Sequence, residues 1–189
     1  KVSAHMIHRT AHVVDMYRAE LLRKYIREVP DFPSPGVLFK DITPLLNSSE
    51  ALRETVLGMS APYREGGVDH VVGLEARGFL FGAPVAMELD AGFVPARKVG
   101  KLPAKTISQS YDLEYGTATV EIHSDAITPG SRVLIIDDVL ATGGTGRAAV
   151  DLVRKAGGTV VGFSFLLELS ELHGREKMPD VELHGLLTV

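Results

Sequence analysis

Four apolar residues, Val133-Leu134-Ile135-Ile136, run directly into two aspartates, Asp137-Asp138, then a loop of small residues, then a helix-forming stretch. That helical pattern, over residues 146–156, stops at Gly157-Gly158, and a second run rich in β-branched residues occupies 159–167. A strand apolar on both faces has no side to give to water and must be covered twice. Similar runs occur at 68–74 and 92–96, with a helical stretch over 78–89 between them. Such alternation predicts an α/β fold with a doubly wound, mostly parallel sheet flanked by helices. Residues 117–123 differ, because Ala118, Val120 and Ile122 alternate with Thr119, Glu121 and His123. This predicts a half-exposed strand, one arm of a hairpin that follows a loop over 101–116.

Upstream, Val14, Tyr17, Leu21 and Tyr25 form one stripe, with Leu22 and Ile26 beside it, predicting an amphipathic helix over 12–29 that stops at Pro30. Pro33, Pro35 and Gly36 then force an irregular, turn-rich stretch. A second helix is expected from Ser48 or Ser49 as N-cap to about Arg64, turning Leu52, Val56, Met59 and Tyr63 inward and ending at Gly66-Gly67. Nothing reads as a linker or an internal repeat, so 189 residues are expected to form one domain. Its N-terminal helix and hood would cover about 1–45, and a flexible loop about 102–116.

A net charge of −4 gives no reason to expect a nucleic-acid partner, and no apolar run is long enough for a membrane span. The complete absence of cysteine excludes disulfides, thiolate metal sites and cysteine nucleophiles, and it fits a reducing compartment. Residues 1–11 carry His5, His8, Arg9 and Thr10, too polar for a signal peptide, so a cytoplasmic location is expected. His8 and His12 have the i, i+4 spacing of metal ligands, but they read as exposed helix positions.

In an open parallel sheet, ligands bind beyond the carboxyl ends of the strands, where loops lead into helices. Gly143 and Gly144 allow a tight turn whose N–H groups approach an anion, and the helix that follows adds its positive dipole end. Thr142 and Thr145 can donate hydroxyl hydrogen bonds to phosphate oxygens. Asp137 and Asp138 suit vicinal hydroxyls, which are donors. Gly-Gly-Thr alone is a common structural turn; it takes a chemical reading from the two aspartates ahead of it and the threonines on both sides. A phosphate at Ala141–Thr145 beside a diol at Asp137-Asp138 describes a ribose 5-phosphate. Other nucleotide motifs fail: after Gly73 and Gly78 comes Phe79 where a P-loop needs lysine, and no G-x-G-x-x-G opens a helix. H-E-x-x-H and G-x-S-x-G are also absent.

The thirteen residues 133–145 resemble the phosphoribosyl-pyrophosphate signature of the type I phosphoribosyltransferases. Three further segments resemble the branch of that family that uses adenine: residues 30–43 (PDFPSPGVLFKDIT), residues 73–82 (GLEARGFLFG), and residues 97–103 (RKVGKLP) leading into 111–116 (YDLEYG). They occur in the family's order and spacing, from about Val29 to the end.

The resemblance implies transfer of a phosphoribosyl group from phosphoribosyl pyrophosphate to adenine, giving AMP and pyrophosphate in purine salvage. It assigns ribose 5-phosphate to Asp137, Asp138, Ala141, Thr142, Gly143, Gly144 and Thr145, and pyrophosphate to Arg77, Arg97 and Lys101. Taken alone, Arg97, Lys98 and Lys101 read as a solvated surface cluster. Residues 102–116 would close as a lid, with Glu114 acting on the purine nitrogen as acid, base or orienting group and Tyr115 beside it. Leu38, Phe39 and Lys40 would form the adenine end; many relatives have arginine where this chain has Lys40. Magnesium is implied, held mainly by substrate and water rather than by protein ligands, and so is a homodimer. The alternatives are a phosphoribosyltransferase for another purine base, or a regulator that senses phosphoribosyl pyrophosphate. The roughly 29 residues before Pro30 are too few and not basic enough for the DNA-binding module a regulator needs.

Overall fold

A computed structural model describes the backbone of residues 4–113 and 116–189, with side chains described from Val13 onward. The chain divides into two compact units, Lys1–Gly58 and Met59–Val189.

The first unit opens with α1 (Ala4–Arg23), which ends well before the expected Val29. Its buried face is Arg18, Leu21 and Leu22, whereas Val14 and Tyr17 are exposed. The expected stripe is therefore displaced. The cause is Arg18, whose stem is covered while its guanidinium pairs with Glu54 at 3.1 Å and Asp15 at 3.2 Å. Residues expected to prolong the helix instead form β1 (Arg27–Pro30), antiparallel to β2 (Leu38–Asp41), with Arg27 opposite Asp41 and Pro30 opposite Leu38. Pro30 sits at the strand end, where its missing N–H costs little. The connecting turn is as irregular as its prolines demand, and it closes through Gly36 N–H donating to Asp31 Oδ1 at 2.7 Å. Phe32 packs edge-on against Phe39, with ring centroids 5.1 Å apart. A short helix, α2 (Thr43–Leu46), precedes α3 (Ser49–Ser60). Ser48 caps α3 as expected, its Oγ accepting the Ala51 N–H at 3.2 Å. Pro62 ends the α-helix early, and Ala61–Tyr63 continue as one 3-10 turn.

The second unit is a seven-stranded sheet: β3 (His70–Leu74), β4 (Gly92–Lys98), β5 (Thr106–Asp112), β6 (Thr117–His123), β7 (Arg132–Leu140), β8 (Thr159–Glu168) and β9 (Leu183–Thr188). Across the sheet the order is β5-β6-β4-β3-β7-β8-β9. The run from β4 to β9 is parallel, and β6 and β5 add an antiparallel hairpin at one edge. α4 (Gly78–Glu88) and α5 (Gly144–Lys155) cover its two faces. On the α5 side, Val72, Leu74, Val94, Val133, Ile135 and Phe163 pack with Ala148, Ala149, Leu152 and Val153. On the other, α4 comes so close that a Cβ on Gly82 would lie 3.3 Å from Gly73 Cα, with the Phe93 ring filling the rest of the slot.

Two expectations change here. The stretch 102–116, expected as an aperiodic flexible loop, contains β5, paired residue for residue with β6 from Thr106 opposite His123 to Asp112 opposite Thr117. Its polar residues fooled the periodicity because an edge strand need bury little on either face. Glu121, expected on the exposed side of β6, is buried; it accepts hydrogen bonds from Gly100 N–H and Thr106 Oγ1, both at 3.0 Å.

Candidate active site

β7 continues past Ile136 through both aspartates to Leu140, because β8 keeps pairing with it: Asp137 opposite Phe165, Val139 opposite Leu167, Leu140 opposite Glu168. The carboxylates are thus fixed to a central strand. Asp137 Oδ1 accepts the Asp138 N–H at 2.8 Å, and Asp138 Oδ2 lies 2.8 Å from Arg77 Nε. Burial pushes the Asp137 carboxyl well above the ordinary aspartate range, and the Asp138 charge pushes it further the same way. Asp138 is raised by burial against the pull of Arg77.

Beyond Leu140 the backbone turns through Ala141–Gly143, and Gly144 begins α5. Gly143 has φ +81°, a left-handed conformation that a Cβ disfavours. The loop borders a cavity of about 110 Å³, lined by Asp137, Val139, the run from Leu140 to Gly146, and Phe163. The unpaired N–H groups and dipole of an α-helix N-terminus favour an anion in such a place. A second cavity of about 230 Å³ shares Asp137, Val139 and Thr145 with the first. Glu75, Arg77, Lys98, Tyr111 and Asp138 also line it. An anion cradle therefore adjoins two carboxylates, and beyond them lie two cations.

The structure brings together Asp137, Asp138, Ala141, Thr142, Gly143, Gly144, Thr145 and Arg77, as the sequence reading placed them. Arg97 is engaged elsewhere: its Nε and Nη2 donate to Glu75 at 3.3 and 3.1 Å, and its Nη1 donates to the Lys101 carbonyl at 3.2 Å. Glu75, held below the usual carboxylate range chiefly by Arg97, also accepts the Lys98 N–H at 2.9 Å. Lys98 rather than Arg97 or Lys101 lines the cavity, and Lys101 is exposed. Lys98 stood in the same cationic run, but only the alternation of β4 distinguishes the two neighbours.

Tyr111 was not singled out as a site residue. Its hydroxyl accepts from Thr145 Oγ1 at 3.1 Å, and a Cβ on Gly144 would lie 3.3 Å from its ring. Reading 102–116 as a loop hid it, since only a strand register carries Tyr111 to α5. Glu114 and Tyr115 lie outside the described residues. Leu38, Phe39 and Lys40 sit on β2 of the first unit, where Lys40 Nζ pairs with Glu28 across the hairpin and Leu38 is exposed.

Residues 50–185 match the phosphoribosyl transferase domain family. The chain is 66% identical over 169 residues to the adenine phosphoribosyltransferase of Thermobifida fusca (strain YX), covering 89% of this chain and 96% of that one. It superposes on the crystal structure of adenine phosphoribosyltransferase from Rhodothermus marinus DSM 4252 with a TM-score of 0.88 at 53% identity, covering 92% and 99% of the two chains. The Saccharomyces cerevisiae adenine phosphoribosyltransferase, solved with D-2,5-dideoxy-2,5-imino-altritol 1,6-bisphosphate and adenine, gives 0.86 at 38% identity, covering 91% and 99%. With a family match over more than half of its length and relatives this similar over nearly all of it, the chain belongs to the phosphoribosyl transferase family and, within it, to the adenine phosphoribosyltransferases.

Proposed function

We propose that the protein transfers the 5-phosphoribosyl group of phosphoribosyl pyrophosphate to adenine, releasing AMP and pyrophosphate. The observation that carries this is the continuity of the anion cradle at Ala141–Thr145 with the carboxylates of Asp137 and Asp138 and the cations Arg77 and Lys98. These sites follow the order of groups along the substrate: 5-phosphate, ribose diol, pyrophosphate.

In the reaction, the bond from the anomeric carbon to the pyrophosphate oxygen breaks and a bond to a purine ring nitrogen forms, while that nitrogen gives up its proton. The sugar passes through a cation-like state. Loop N–H groups and Thr145 hold the phosphate; Asp137 and Asp138 accept hydrogen bonds from the ribose hydroxyls. Arg77 and Lys98 stabilise the charge gathering on the leaving pyrophosphate. Glu114, with Tyr115, would orient or deprotonate the purine. Leu38, Phe39 and Lys40 would hold adenine, the base with which the yeast relative was solved.

Magnesium would enter on the pyrophosphate. Among the described residues no cluster of three or more His, Asp or Glu side chains is arranged to hold a metal. Asp137 is the carboxylate of the sugar-phosphate site not committed to an arginine, so the residues fit an ion held mostly by substrate and water. When bound, magnesium neutralises pyrophosphate charge. The exposed Leu80 and Met87 of α4 suit pairing of two copies. The proposed compartment is the cytoplasm; among the described residues no helix is long and apolar enough to cross a membrane.

The test is turnover of phosphoribosyl pyrophosphate with adenine or hypoxanthine, with and without magnesium, followed by separation of products. AMP formation with adenine is expected; turnover with hypoxanthine alone would overturn the base assignment. Sedimentation of a single-copy species would remove the dimer.

A further inference from the structure

The phosphate loop has a back as well as a mouth. Behind it runs the segment between β8 and β9, which includes two 3-10 turns, Ser170–Leu172 and Gly174–Lys177. Gly143 and Gly174 meet there backbone to backbone. A Cβ on Gly143 would strike the Gly174 carbonyl oxygen; a Cβ on Gly174 would strike the Ala141 carbonyl oxygen and lie 3.0 Å from Leu140 Cδ1. Gly174 is buried, between the Ala141–Gly143 backbone and the Leu140 side chain.

The segment is fastened on both sides of that contact. Arg175, directly after Gly174, forks onto Glu168 at the end of β8, with Nε to Oε1 at 2.8 Å and Nη2 to Oε2 at 2.7 Å. Its Nη1 donates to the Leu183 carbonyl at 3.2 Å, and its guanidinium lies 5.8 Å from the Phe165 ring centroid. Farther along, Asp180 accepts from Arg147 at 2.8 Å and from Arg154 at 2.6 Å, both on α5. Met178 is buried, and its Sδ would lie 3.3 Å from a Cβ on Gly146. One end is thus tied to the strand beside β7 and the other to the helix that follows the loop.

We propose that this segment braces the phosphate loop and that Arg175 and Gly174 are positioning residues for the 5-phosphate. Neither residue lines the anion cavity. Gly174 supplies the surface against which Ala141–Gly143 holds its shape, and the Arg175–Glu168 fork keeps Gly174 at that surface. A loop of small residues has little packing of its own, so its N–H groups converge on a phosphate only if something behind it prevents relaxation. A fork of two parallel hydrogen bonds fixes orientation as well as distance, which a lysine point charge cannot do.

The inference rests on the phosphoribosyl transfer reading, and the experiment separates the two. In the full-length protein, Arg175→Ala, Arg175→Lys, Glu168→Gln and Gly174→Ala are compared with the unaltered chain. KM is measured for phosphoribosyl pyrophosphate and for adenine, and Kd by calorimetry for ribose 5-phosphate, AMP and adenosine. Adenosine lacks the phosphate, so the AMP-to-adenosine affinity ratio reports the loop alone. Arg175→Ala is expected to reduce that ratio and raise the KM for phosphoribosyl pyrophosphate roughly tenfold or more, the scale of a displaced binding group. The KM for adenine stays where it was, and Arg175→Lys falls between. If the ratio is unchanged in Arg175→Ala and Glu168→Gln, or both KM values rise together, the brace is refuted, even if Gly174→Ala fails to fold. Lack of turnover by the unaltered chain would count against the transfer reading, and the ribose 5-phosphate titrations would still decide the brace.

Discussion

Asp137→Asn should make the protein more stable and less active. Burial and the adjacent Asp138 both disfavour a charge on Asp137, while Arg77 pairs with Asp138. Asparagine keeps an oxygen to accept the Asp138 N–H, a bond of 2.8 Å in the unaltered chain, and removes the charge. Relief of one buried like-charge conflict is expected to yield about 1 kcal/mol. For a chain of this size that corresponds to a rise in Tm of roughly 2–4 °C. A carboxyl raised above its unfolded value near ~3.9 lowers stability as pH climbs above that value, because the unfolded chain then gives up a proton that the fold retains. The gain should therefore be small near pH ~4, where the unfolded chain is protonated as well, and grow as pH rises above it. Losing a charged acceptor for a ribose hydroxyl costs about 1.5–3 kcal/mol, a fall of roughly ten- to hundredfold in kcat/KM. Calorimetric melts across that pH range, paired with initial rates, provide the check. A Tm that drops, or a gain that ignores pH, would refute the account of the carboxylate pair.

Gly143→Ala places a side chain at positive φ and against Gly174; with about 1–2 kcal/mol from the backbone alone, the KM for phosphoribosyl pyrophosphate should rise roughly tenfold or more in steady-state kinetics. Glu75→Gln releases the Arg97 guanidinium and should raise the same KM roughly two- to fivefold, while adenosine binding by calorimetry is unmoved. Asp41 is held at about 2 by the Thr43 N–H and by Arg27, so the stability it contributes is present above pH ~4 and lost as pH falls through 2. Acid unfolding followed by circular dichroism should therefore fall more steeply over that interval than in Asp41→Asn. Gly162→Ala drives a Cβ into the Tyr63 ring and should cost about 1–3 kcal/mol in urea unfolding, with both KM values unchanged.

The central sheet was readable because its inner strands are buried on both faces and α5 ends at a glycine pair, Gly157-Gly158. Ala141–Thr145 was readable for a different reason: its glycines, threonines and preceding aspartates are contiguous, so chemistry and geometry share one stretch of sequence. What escaped was set by pairing across the chain. Residues 27–29 were expected to end the first helix before Pro30, yet 27–30 found a partner in 38–41, and no local pattern foretold that choice. Tyr111 entered the site only through the register of β5 on β6, and Lys98 only through the alternation of β4. Gly174 could not be found from sequence, because its meaning lies in a backbone contact with Gly143.

The two adjoining cavities arise differently during folding. Most of the walls of the anion cradle come from one short stretch, so closing it demands little chain entropy once β7, β8, α5 and the bracing segment after β8 exist. The larger cavity draws Arg77 from the loop after β3, Lys98 from β4, Tyr111 from β5 and Asp138 from β7, and it exists only after β3, β4, β6 and β5 have registered in turn from β7. Folding speed should thus be limited by the second cavity's long-range pairings rather than by the first. A nascent or partly unfolded chain would regain affinity for a bare phosphate before it could tell a pyrophosphate ester from one.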